Sequence, residues 1–157
     1  MDENVKKELD KYIEENYKPK AETQLTGGIY PTIIKRENIT KYEIIIYEKF
    51  DGKSPLADFI RSLEPKMKAR VLKEIELLSD KGIYLRETYS KVLKNGLFEL
   101  RIKVGTDLSR IIYFFFKNNK IILTNGFIKK QQKTPKSEIE LAIKYKSDWE
   151  ERQKNEI

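Results

Sequence analysis

The 157-residue chain contains no cysteine and no histidine. The first absence removes disulfides, thiolate metal sites and a cysteine nucleophile. The second removes Cys/His zinc sites and any Ser-His-Asp triad. Chemistry at this protein's surface therefore falls to carboxylates, lysine, arginine, tyrosine or hydroxyls. Long apolar runs are missing too. The longest, Ile111 to Phe116, is six residues, against the ~20 that a membrane-spanning helix needs. The first twenty residues are charged throughout and do not resemble a secretory signal. With no disulfide chemistry, a cytoplasmic location and no membrane partner are the expectation.

Charge is what the chain has in quantity. Lys and Arg number 32 against 25 Asp and Glu, for a formal +7, and 36% of residues are charged against 39% hydrophobic. That apolar fraction supports one modest core. The charge is unevenly placed. Residues 1–27 carry five lysines and seven acids, whereas residues 99–136 carry nine basic groups opposed only by Glu99 and Asp107. One stretch of 38 residues thus holds a net +7 by itself. A concentrated positive field attracts phosphates and steers encounter with nucleic acid; a solvated lysine-rich surface is the plainer alternative.

Residues 3–17 carry Val5, Leu9, Tyr12, Ile13 and Tyr17 at helical spacing, and Lys18-Pro19 stops that helix. Pro31 demotes a possible short strand over residues 30–34. Residues 1–40 thus read as an appendage of helix and linker, followed by a domain over 41–150 and a tail over 151–157. The acidic first helix either covers the basic face, contacts a partner, or simply packs as an amphipathic stripe. In the domain, residues 42–48 are β-branched and aromatic, hence a strand. Ser54-Pro55 and Pro65 open two helices, the second running to about Ser79 and ended by Gly82. Residues 89–93 lead into the next strand, and Asn95-Gly96 marks a turn. From there Phe98, Leu100, Ile102 and Val104 alternate with Glu99, Arg101 and Lys103. A nearly unbroken apolar strand over 109–116 follows, then one over 121–127. Thr134-Pro135 opens a last helix to about Glu151. The order strand-helix-helix-strand-strand-strand-helix gives a small α+β domain with an antiparallel sheet and helices mostly on one face, plus the extra N-terminal helix.

Arg110 is conspicuous in its apolar strand, because a charge there must reach water, a partner or a ligand. It either pairs with Glu99 or Asp107 or serves a bound group. A meander brings Arg101, Arg110 and the segment Lys129-Lys130-Gln-Gln-Lys133 close together, giving a sheet face lined with cations. Phe127 at its edge is either core or a platform for a base.

The strings Gly96-Leu-Phe-Glu-Leu-Arg101, Arg110-Ile-Ile-Tyr-Phe and Phe127-Ile-Lys-Lys-Gln-Gln-Lys-Thr-Pro-Lys-Ser-Glu-Ile139 together resemble the RelE/ParE toxin superfamily, most of all its HigB-like, phage-related branch. The resemblance covers about residues 42–147. It implies a RelE-like fold and a toxin of a type II toxin–antitoxin pair, partnered by a cognate antitoxin of helix-turn-helix type. For most RelE and HigB members the implied activity is mRNA cleavage at the ribosome, by attack of a 2′-OH on the adjacent phosphate, with no metal and no cofactor. ParE members act on DNA gyrase from a similar fold, so a non-enzymatic binding protein, or a relative that has lost catalysis, is the alternative. In the nuclease reading, Arg101 and Arg110 suit a phosphate clamp because their planar forks make bidentate contacts. Glu99, or a lysine depressed by neighbouring cations, is the available base. Lys129 and Lys130 stabilise developing charge, while Lys103, Phe127 and Lys133 bind flanking RNA. Many relatives use a Tyr or His near the C-terminal segment; here only Tyr145 follows Tyr113, and it falls within a helix.

Overall fold

Ser54 starts the first helix as its chemistry requires: its hydroxyl accepts the Ala57 N–H at 3.2 Å, with Pro55 in the first turn. A computed structural model describes residues 4, 5, 7–9, 11, 41–85 and 87–155. Strand β1 (Glu43–Ile46) leads to the helical hairpin α1 (Pro55–Ser62) and α2 (Pro65–Lys81). Gly82, at φ 50°, ends α2 by returning its N–H to Leu78 O. A single 3₁₀ turn (Gly82–Tyr84) precedes the short strand β2 (Ser90–Val92). Then come β3 (Phe98–Val104), β4 (Asp107–Phe116), β5 (Lys120–Ile128) and helix α3 (Lys136–Lys154).

The α+β architecture matches the reading of the sequence, but the sheet is not wholly antiparallel, β2 is a strand of its own, and the helices lie on both faces and not mostly on one. The sheet has five strands in the order β1-β5-β4-β3-β2. It is mixed and not wholly antiparallel, because β1 pairs parallel to β5, Glu43 to Lys120 through Ile46 to Leu123. The long hairpin crossover between them is what makes parallel pairing possible. The meander β3-β4-β5 is antiparallel throughout. Ser90–Val92 form a strand of their own and not a mere lead-in. The turn to β3 passes through Asn95 (φ 58°) and Gly96 (φ 72°), a left-handed pair that asparagine and glycine tolerate best. The hydroxyls of Tyr113 and Ser90, 2.6 Å apart, pin this three-residue edge strand in place.

Helices lie on both faces of the sheet. The hairpin packs Leu56, Ile60, Val71, Ile75 and Leu78 against Leu100, Ile102, Ile111, Ile121 and Leu123. On the other face α3 brings Ala142, Tyr145 and Trp149 onto Leu97, Ile112, Phe114 and Ile122. The central strand β4 is thus clothed on two sides over Ile111 to Phe114, which is why it reads as a continuous apolar run. Helix α3 continues to Lys154, and Arg152, within the segment that the sequence marks as a tail, donates to Glu48 O and to Asp148 Oδ2. Of the helix expected over residues 3–17, the described residues 4, 5, 7–9 and 11 are helical. Val5 and Leu9 are buried in the hairpin-side core, and Glu8 faces Lys68 at 3.9 Å. These residues therefore sit on the face away from α3. The possible short strand over 30–34 lies outside the described residues. No helix among the described residues is long and apolar enough to cross a membrane.

The meander contains one irregularity. Between Ile112 and Tyr113 the partner residue on β5 jumps from Asn125 to Leu123, leaving Thr124 as an extra residue. Its hydroxyl lies 3.0 Å from Ile112 O and 2.7 Å from Asn125 Oδ1, two acceptors for its single proton, so the bulge finds its partners locally. Before the bulge, Ile121 and Leu123 face the hairpin; after it, Asn125 and Phe127 face α3. One inserted residue inverts the facing of everything beyond it.

Candidate functional site

The α3 face of the sheet is divided lengthwise. Under α3 it is apolar, with Ile112 and Phe114; beyond the start of α3 the same strand presents Arg110. Register then assembles the site. Arg101 on β3 lies directly opposite Arg110 on β4, and Arg110 is in turn opposite Phe127 on β5. Glu99 is one pleat along from Arg101 on the same face, opposite Lys91 of β2.

Glu99 is fully buried. Its Oε1 faces Arg110 Nε at 3.2 Å and Lys129 Nζ at 4.0 Å, while Oε2 accepts a hydrogen bond from Thr134 Oγ1. Arg110 thus pairs with Glu99 and not with Asp107. The pairing is electrostatic more than directional: neither Arg110 Nε nor Glu99 Oε1 has a hydrogen-bond partner, and the buried Nε of Arg101 has none either. Arg110 Nη1 donates to Ser109 O at 2.9 Å, and Arg101 Nη1 reaches Glu87 O at 3.4 Å.

Two cations therefore face one carboxylate, and a third, Arg101, stands opposite Arg110. Like charges directly opposite each other on adjacent strands destabilise a sheet, and like-charged neighbours add to the effect of burial on both Arg110 and Lys129. Burial pulls Arg110 below its ordinary value; Glu99 opposes the shift and Arg101 reinforces it. Burial likewise lowers Lys129, against Glu99, with Arg110, Arg101 and Lys91 adding to the depression. The site holds a positive surplus and buried donors without acceptors, which is the description of an anion site.

Of the residues singled out from sequence, Glu99, Arg101, Arg110 and Lys129 come together. Lys103 is exposed near the end of β3, and Lys130 and Lys133 are exposed in the segment between β5 and α3. Phe127 is only 9% exposed and packs in the α3-side core beside Arg110. Tyr145 is stacked on Tyr47, ring centroids 4.5 Å apart, in the same core. Two participants escape a reading of the sequence. Lys91 is on a strand too short to stand out by pattern, and its relation to Glu99 exists only through strand pairing. Thr134 reads as a helix start; its place two residues before α3 is what lets it hold Glu99. Among the described residues no group of three or more carboxylates is gathered in a way that would hold a metal ion.

A family model described as Phage derived protein Gp49-like (DUF891) matches residues 58–147, a span that contains all of Lys91, Glu99, Arg101, Arg110, Lys129 and Thr134. No curated protein matches the chain. The match covers more than half of the sequence and begins inside α1, so it takes in the hairpin, the meander and most of α3. The chain belongs to the Gp49-like phage-derived family, a RelE/toxin-like family in toxin–antitoxin systems.

Proposed function

We propose that this protein is the toxin of a type II toxin–antitoxin pair and that it cleaves mRNA at the ribosome without a metal. The observation that carries the reading is the gathering of Arg110 and Lys129 on the buried Glu99 carboxylate, with Arg101 directly opposite Arg110 on the neighbouring strand. A scissile phosphodiester entering this cup supplies the anion that the cations lack. Arg101 and Arg110 grip its non-bridging oxygens and stabilise the extra charge of the phosphorane. The 2′-OH of the preceding nucleotide loses its proton and attacks phosphorus, the bond to the 5′-oxygen breaks, and that oxygen takes up a proton, leaving a 2′,3′-cyclic phosphate. Lys129, lowered from the ordinary lysine value by burial and by its cationic neighbours, is the group suited to move a proton. Glu99 is a positioning residue: it is fully buried and engaged by Arg110, Lys129 and Thr134. Lys103, Lys130 and Lys133 contribute a field along the flanking RNA. Phe127 supports Arg110 from the core. An antitoxin would silence this surface by setting acidic groups against it.

The test is induction of the wild-type chain and of Arg110→Ala in growing cells, with mRNA 5′ ends mapped. New ends inside translated codons, lost with Arg110, are expected. Undiminished growth arrest by Arg110→Ala, or arrest without cleaved message, would defeat the ribonuclease assignment. One observation favours a gyrase-directed, non-enzymatic toxin: no histidine exists, and Tyr145 is locked in the core. Supercoiling by gyrase in the presence of the purified chain decides between the two.

A further inference from the structure

The cationic cup does not end at the sheet. Strand β2 pairs with Phe98, Glu99 and Leu100 of β3, and Tyr89 O accepts the Arg101 N–H at 2.8 Å, so β3 forms an open edge from Ile102 onward. Along that edge runs a cleft of about 540 Å³ in which Arg101 and Arg110 meet Lys103, Arg70 and the half-buried Tyr89. A second hollow of about 390 Å³ shares Arg70 and Lys103 with the first and adds Lys66 and Lys73. Lys66, Arg70 and Lys73 are spaced four and three apart and so share one face of α2, spanning about 10 Å at 1.5 Å per residue. The buried Glu74 holds Arg70 at 3.0 Å and fixes its direction. Cations continuous with the cup, with one tyrosine among them, match what binds a single nucleic-acid strand: phosphates on the basic groups and a base on the aromatic ring.

The geometry points to a track for single-stranded RNA that leaves the cup, passes Tyr89 over the open edge of β3 and lies on the Lys66–Arg70–Lys73 face of α2. This rests on the ribonuclease reading for the identity of the strand and adds where its flanking nucleotides go. A duplex does not suit the track, because its bases are stacked on each other and unavailable to Tyr89.

The test measures binding of the full chain to 2′-O-methyl oligoribonucleotides, which resist 2′-OH chemistry, over a range of salt. One probe has a single phosphodiester and the other is long enough to fill the track. Replacing the exposed Lys66, Lys73 and Lys103 with Gln should lower the salt slope for the long probe by about 2, at ~0.7 per phosphate neutralised on a single strand. The slope for the short probe should not change. Tyr89→Ala should weaken the long probe roughly tenfold. A control triple variant, Lys53→Gln, Lys117→Gln and Lys144→Gln, removes the same charge elsewhere and should leave both slopes alone. An unchanged slope in the first triple variant, an equal fall in the control, or tighter binding of duplex than of single strand overturns the track. Salt slopes that follow this pattern in a protein that never cleaves message would keep the track and discard the ribonuclease reading.

Discussion

Arg101 and Arg110 stand directly opposite each other across two strands, and only Arg110 is paired with the nearby Glu99 carboxylate. Such a pair costs the fold stability, by ~0.2–1 kcal/mol on the scale of cross-strand pairs. Arg101→Gln keeps the stem and removes the repulsion. Chemical denaturation at low salt should find the variant equal to or more stable than wild type by up to about 1 kcal/mol, while its affinity for a phosphodiester falls. A clear loss of stability would mean that Arg101 is held by packing and not by its role toward an anion. Lys129 gives a pH prediction. Its ammonium is destabilised by burial and by Arg110, Arg101 and Lys91, so the neutral amine is favoured. Cleavage should therefore rise with pH through an apparent pKa below the ~10.4 of an ordinary lysine. Lys129→Arg retains the charge but cannot give up its proton; it should bind RNA and lose cleavage at every pH. A cleavage profile identical to wild type would remove Lys129 from the proton transfer.

At the scale of elements, α1 and β5 approach closely because Gly126 has no side chain. A Cβ there would stand 2.5 Å from the Phe59 ring and 3.0 Å from Leu56 Cδ1, both on α1. Gly126→Ala should cost ~1–3 kcal/mol by overpacking, lowering the melting temperature by about 2–4 °C per kcal/mol. Thermal unfolding checks it, and a neutral substitution would show that α1 shifts freely on the sheet. The same strand shows where sequence reading reaches its limit. Strands β3 and β4 are legible because alternation and an apolar run bounded by Asn95-Gly96 and Asn118-Asn119 leave little choice. The bulge at Thr124 is not, because a threonine-asparagine pair in an apolar strand carries no periodic signal, and the inversion it causes exists only relative to β4. The clustering of Lys129 with Glu99 follows from a meander in general, but the step that makes it happen is invisible in the chain. The parallel pairing of β1 escapes for a similar reason: residues 42–48 announce a strand but not its neighbour.

For the whole molecule, the two faces of the sheet carry different burdens. The hairpin side is a conventional core joined by Val5 and Leu9; the α3 side is half core and half cationic cup. That positive charge gathers in residues 99–136 is plain in the sequence. That Arg70, Lys66 and Lys73 from the hairpin extend it is not, since those lie about thirty residues upstream and meet β3 only through packing. The hairpin also stores a pH sensitivity. Glu76 is buried with neither carboxylate oxygen hydrogen-bonded, and burial together with Asp80 raises it to about 7, Lys41 opposing. Its folded value is raised above the ordinary 4.5, so its contribution to stability is full below that value and is lost as pH rises through about 7. Glu76→Gln should raise the melting temperature near pH ~8, have little effect near pH ~5, and flatten the profile between them. An unchanged pH profile would mean that the carboxylate finds water in solution.

The extra residue at Thr124 has a genetic corollary. Removing one codon there would leave composition and charge nearly untouched, yet turn Asn125, Phe127 and Lys129 toward the hairpin side of the sheet, where α1 now packs closely on Gly126. In-frame deletions of a single residue at this point should therefore be over-represented among survivors when cells escape the protein's effect.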